Sequence, residues 1–138
     1  MFISPYTKVS GLVWFARMTG KIRLNSRGAL PVDYIPYLGQ GFDRRFLRFV
    51  GIEYPALVAR VLEGGSDEEI LEWCFATGRR PGEFEVLVWN EYMIKRGWRD
   101  TDAPASVLQE YKEKYGLGHR PDIETFFDFY EVDEGRKP

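Results

Sequence analysis

Residues 42–78, FDRRFLRFVGIEYPALVARVLEGGSDEEILEWCFATG, hold the punctuation that decides the fold class. Phe42, Phe46, Phe49 and Val50 recur at helical spacing, and Gly51 suits the left-handed position that closes a helix. Pro55 is tolerated only in the first turn of the next helix, whose apolar residues Leu57, Val58, Val61 and Leu62 run up to Gly64-Gly65. Ser66 and Glu69 then form a capping box, each able to satisfy the other's backbone amide. The helix they open carries Ile70, Leu71, Trp73, Cys74 and Phe75 and stops at Gly78.

The same reading extends in both directions. Residues 9–26 place Leu12, Phe15, Met18 and Ile22 on one helical stripe, interrupted by Gly20. Residues 30–41, LPVDYIPYLGQG, are punctuated by Pro31, Pro36, Gly39 and Gly41. They read as an ordered loop whose Tyr34, Ile35, Tyr37 and Leu38 pack down. Further helices are expected over residues 81–96, 104–115 and 122–132. Only residues 83–88 resemble a strand, and their helical flanks outweigh them. The expectation is an all-α, compact single-domain bundle of about six or seven short helices over residues 1–132. A tail, 133–138, should fray.

Composition narrows the chemistry. A chain of 138 residues that is 44% hydrophobic and 16% aromatic can build a core without disulfides or metals. Cys74 and His119 are the only cysteine and histidine, too few for a structural zinc site. A lone thiol fits a reducing compartment. The apolar run at residues 12–16 is too short for a signal peptide, and no stretch approaches the length of a membrane span. A cytoplasmic protein with no membrane association, metal or cofactor is expected. Cys74, between Trp73 and Phe75, reads as a buried inert thiol, and no G-x-S-x-G elbow is present. Glu124, Asp128 and Glu131 share a helix face that could hold a hard cation, but a solvated face is the simpler account.

The net charge of −2 conceals an asymmetry. Residues 1–60 carry nine basic and three acidic side chains, net +6, whereas residues 61–138 carry ten and eighteen, net −8. Within the basic half, Arg17 and Lys21 are four apart on the first helix, with Arg23 and Arg27 further round. Arg44, Arg45 and Arg48 follow on the second helix beside Asp43. If these helices pack together, several cations converge with one carboxylate able to orient a guanidinium. Planar guanidinium forks suit phosphate or carboxylate. Pairing with the acidic half, or plain solvation, accounts for the same charges equally well. An acidic balance fits nucleic acid poorly.

Three segments also carry a family resemblance: ISPYTKVSGLVWFARMTGKIRL, LPVDYIPYLGQGFDRRFLRFVGIEY and GGSDEEILEWC. Over roughly residues 3–100 the chain resembles the bacterial domain-of-unknown-function 5069 family. The family pattern has Arg-Met-x-Asp-Lys-x-Arg on the first helix and Gly-Phe-Asp-x-Arg at the start of the second. Arg17, Lys21 and Arg23 match the first motif, and Asp43 and Arg45 the second. Gly20 departs from it, standing where the pattern has aspartate. The resemblance implies no activity and no cofactor.

The favoured expectation is a binding domain. Its candidate ligand residues are Arg17, Lys21, Arg23, Asp43, Arg44, Arg45 and Arg48, and its partner is a small anion or an acidic protein surface. A competing reading is an enzyme for phosphoryl or acyl chemistry, with Asp43 as base and Lys21 or Arg45 stabilising negative charge. A third is a structural module that forms a homo-oligomer through the aromatic residues of 126–130.

Overall fold

The computed structural model describes residues 2–138, so the expected domain start at Met1 lies outside the described residues. Among these, seven α-helices follow one another: α1 Phe15–Ser26, α2 Phe42–Val50, α3 Tyr54–Leu62, α4 Asp67–Thr77, α5 Glu83–Lys95, α6 Pro104–Lys114 and α7 Phe126–Asp133. The chain is all-α, as its punctuation requires. It divides into two compact units, one ending at Val86 and the other Leu87–Pro138, and the division falls within α5.

In the first unit α1 is the central element. It packs against α3 and α4, which also touch each other, and Phe15 meets Phe46 of α2 with ring centroids 5.3 Å apart. Leu12, Val13, Met18, Leu57, Ile70 and Leu71 are fully buried around it. Gly51 closes α2 with left-handed angles of φ 75° and ψ 44°. Ser66 and Glu69 form the expected capping box on α4. Gly78 ends α4 where the chain crosses the end of α2: a Cβ there would lie 1.9 Å from the Val50 carbonyl oxygen. No other residue fits.

Two local expectations are corrected. The first helix begins at Phe15, not near Val9, because Ser10 and Gly11 take φ values of 47° and 83°. Val9 and Leu12 exchange backbone hydrogen bonds of 3.0 and 2.9 Å across that turn. Two successive left-handed residues are the geometry of a tight hairpin turn, and Ser-Gly suits it. The loop before α2 contains a 3-10 segment, Val32–Tyr37, none of whose residues is buried. Ile35 and Tyr37 are exposed, contrary to the expectation that they pack down, whereas Tyr34 and Leu38 are half-buried and Tyr34 stacks on Phe2 with ring centroids 4.4 Å apart. A six-residue 3-10 segment interrupted by Pro36 offers too few side chains on one side to make a buried face.

In the second unit α6 packs on α7 around Leu108, Phe126, Phe127 and Phe129. Arg96 is buried there, its guanidinium bonded to Asp102 at 2.6 and 3.1 Å and 3.3 Å from Asp100. The tail carries its own contacts, since Arg136 donates to Glu131 and to Glu134, each at 2.6 Å.

Candidate functional site

The candidate residues fall into three settings. The first is a sealed node between α1 and α2. Asp43, the second residue of α2, is 0% exposed. Lys21 Nζ lies 3.1 Å from its Oδ1 and 3.0 Å from its Oδ2. Trp14 Nε1 donates to Oδ1 at 2.9 Å, and the Gly39 backbone N–H donates to Oδ2 at 3.1 Å. Each carboxylate oxygen therefore accepts twice. Lys21 Nζ also sits 5.2 Å from the Trp14 ring centroid. Arg17, only 2% exposed, donates to the Ile3 carbonyl at 3.0 Å. Its guanidinium lies 5.5 Å from the Trp14 ring and 5.7 Å from that of Phe2.

Trp14 ties this node together at a local cost. Its φ of 81° is a left-handed conformation that costs a bulky residue on the order of 1–3 kcal/mol. The surrounding contacts hold it there, because the indole N–H serves Asp43 while the ring serves both cations. Gly20 has a related reason. Ile3 packs so close that a Cβ at residue 20 would meet its side chain at 3.0 Å. The glycine lets the N-terminal segment lie against α1, where an aspartate would push it away.

The second setting is structural pairing. Arg23 donates to Asp67 at 2.8 Å, and Thr19 Oγ1 donates to the same carboxylate oxygen at 2.9 Å. That contact fastens α1 to the first turn of α4. Arg45 lies over the Phe42 ring at 5.3 Å and is half-buried.

The third setting is open. Arg44 and Arg48, one turn apart on α2, are exposed. Neither guanidinium has a hydrogen bond or ion pair among the described residues. They line a cleft of about 610 Å³ with Gln40, Leu47, Glu53 and Tyr54. Ligand pockets usually fall in the range of about 300–1,000 Å³. Gly39 shapes one wall: it has φ 71°, and a Cβ there would lie 2.8 Å from the Tyr54 ring. The close approach of ring to backbone fixes the tyrosine. Burial, and secondarily the negative charge of Asp43, push the Tyr54 phenol up to about 12. At neutral pH it is a hydrogen-bond donor.

The remaining candidates do not form a site. His119 is exposed. Cys74 is buried, and burial pushes its thiol up to about 12. Glu131 pairs with Arg136, while Asp128 Oδ2 accepts from the Glu124 backbone N–H at 3.3 Å. Among the described residues no group of three or more His, Cys, Asp or Glu could hold a metal ion. The aromatic run expected to serve self-association is core instead: Phe126, Phe127 and Phe129 are all buried. No helix among the described residues is long and apolar enough to cross a membrane.

Sequence reasoning named the cations but missed Trp14, Glu53 and Tyr54. Two signals were available. Gly39-x-Gly41 before α2 marks backbone that something approaches closely, and Tyr54-Pro55 fixes a ring at the start of α3.

With this geometry in hand, the chain's relatives can be stated. It belongs to the family described as a domain of unknown function (DUF5069), which matches residues 1–136. The match extends well beyond the three segments that first suggested it. No curated protein matches the chain.

Proposed function

We propose that this domain binds a small anionic ligand, a phosphate or carboxylate, in the cleft beside α2. Arg44 and Arg48 are its charge-recognising residues and Tyr54 is a neutral donor. The observation that carries this reading is the pair of guanidinium groups without partners on the wall of a ligand-sized cleft. Several other arginines pair with carboxylates, Arg23 with Asp67, Arg79 with Glu85, Arg80 with Glu72, Arg96 with Asp102 and Arg120 with Asp122; of the arginines with no ion pair among the described residues, Arg44 and Arg48 line this cleft. Two forks left open on one helix face are available for bidentate contact. A reducing, cytoplasmic setting accords with the single buried thiol.

The sealed node supports the cleft without entering it. Asp43 orients Lys21 and Trp14. A role for Asp43 as a general base finds no support, since both oxygens already accept hydrogen bonds and the group is sealed from solvent.

The test is a thermal-shift series followed by calorimetry, with inorganic phosphate, pyrophosphate and short dicarboxylates. A ligand at about one hundred times its Kd stabilises by about 2.7 kcal/mol, which raises the unfolding midpoint by several degrees. Arg44→Ala and Arg48→Ala should each weaken that shift, and the double variant should abolish it. An equal shift in the double variant would place the anion elsewhere. If no anion stabilises the unaltered protein but an acidic peptide binds through the same two arginines, the ligand is a protein surface.

A further inference from the structure

The cleft that holds Arg44 and Arg48 also holds a carboxylate with no partner. Glu53 stands at the residue before α3, with extended angles of φ −82° and ψ 139°, and its side chain makes no capping hydrogen bond. Glutamate is a poor choice there, since serine, threonine, aspartate and asparagine are the residues that cap. Glu53 is exposed and has no ion pair among the described residues, although it lines the same cleft as two arginines. A glutamate that neither caps its helix nor neutralises its neighbours keeps its charge for something else.

We propose that the ligand carries an ammonium group a short chain away from its anionic head, with the anion on Arg44 and Arg48 and the ammonium on Glu53. This rests on the anion-binding reading and adds the ligand's second functional group. The lining supplies the complement. Two guanidinium groups and one carboxylate leave the wall with one net positive charge, so the matching ligand has one net negative charge. An amino-bearing phosphomonoester or an amino dicarboxylate has that charge at neutral pH. Gln40 and the Tyr54 phenol lie in the same lining and can bond the chain between the two ends. A bare anion would satisfy the arginines and leave Glu53 facing like charge, which makes the ammonium the discriminating group.

Matched probes test this by calorimetry on the full chain. O-phosphoethanolamine is compared with ethyl phosphate, and glutamate with glutarate, each pair differing by the amine. The first pair reports a phosphate head and the second a carboxylate head. In the unaltered protein the amine should tighten binding in one of the pairs by up to about fivefold, the upper end for an exposed ion pair. Glu53→Gln should erase that advantage while leaving ethyl phosphate or glutarate bound as well or better. Equal affinity within both pairs, or an amine advantage that survives Glu53→Gln, overturns the ammonium assignment and leaves the anion site standing. Binding of none of the four overturns both readings.

Discussion

Two pairs of basic residues share one spacing and meet opposite fates. Arg17 and Lys21 are four apart on α1, and Arg44 and Arg48 are four apart on α2. The first pair is buried against Trp14, Phe2 and Asp43. The second faces a cleft without a partner. A helical cation pair is thus defined by what stands across from it. One pair meets an aromatic ring and a carboxylate, and becomes part of the core. The other meets open space beside a glutamate that does not reach it. The boundary between the two settings falls between Asp43 and Arg44, which are adjacent in the chain, the first buried and the second exposed.

The largest test of this contrast is Asp43→Ala. Removing the carboxylate leaves Lys21 buried beside an indole without its counter-charge, and breaking a buried pair costs about 3–5 kcal/mol. Urea denaturation should show a loss of that size, whereas Arg44→Ala should change stability by less than about 0.5 kcal/mol. Equal effects at the two positions would erase the distinction between core and cleft. Asp43→Asn keeps the shape and the acceptor for Trp14, but loses the ion pair and the acceptor for the Gly39 N–H.

Gly39→Ala comes next, since it acts on both regions together. The residue has φ 71° and would bring a Cβ to 2.8 Å from the Tyr54 ring, while its N–H serves Asp43. Strain at such a position costs on the order of 1–3 kcal/mol. The expected result is a lower unfolding midpoint together with weakened anion binding. Stability loss with unchanged binding would show that Tyr54 is not part of the anion site.

A smaller effect is expected at alkaline pH. The Tyr54 phenol is raised from 10.0 to about 12 in the fold, so the folded state favours the protonated form. Its contribution is complete below about pH 10 and is lost as pH rises towards 12. Tyr54→Phe should flatten the fall in unfolding midpoint over that window. Cys74, raised from 9.0 to about 12 by burial, begins its own loss near pH 9 in both proteins, which separates the two groups.

How much of this the sequence disclosed follows from the range of the forces involved. Helices α2, α3 and α4 were legible because their ends are set by adjacent residues: Gly51, Pro55, the Ser66–Glu69 box and Gly78. The start of α1 was obscured because Leu12 and Val13 continue an apolar run through a Ser-Gly turn. Burial of Arg17 and Lys21 was not legible, because Asp43 lies 22 residues from Lys21 in the chain. Trp14 is no better guide, since its unusual backbone angle is imposed by contacts it makes only after folding. The same limit applies to the cleft. Arg44 and Arg48 stood among the candidates, but only the fold sets Glu53 beside them and seals Arg17 and Lys21 away.

The smallest expected effect carries the sharpest sign. Like charges four apart on a helix repel by about 0.2–0.5 kcal/mol, and neither Arg44 nor Arg48 has an ion pair among the described residues. Arg48→Ala should therefore leave stability unchanged or raise it by a few tenths of a kcal/mol, with the gain shrinking as salt screens the repulsion. Arg17→Ala must do the reverse, since it empties a buried position that holds the N-terminal segment through the Ile3 carbonyl. Sites that bind charged ligands are often locally unfavourable until the ligand arrives. A saturating anion should then erase the advantage of Arg48→Ala by stabilising the unaltered protein more than the variant. If Arg48→Ala destabilises the domain in low salt, that arginine is a structural residue like Arg17, and the two pairs differ in exposure alone.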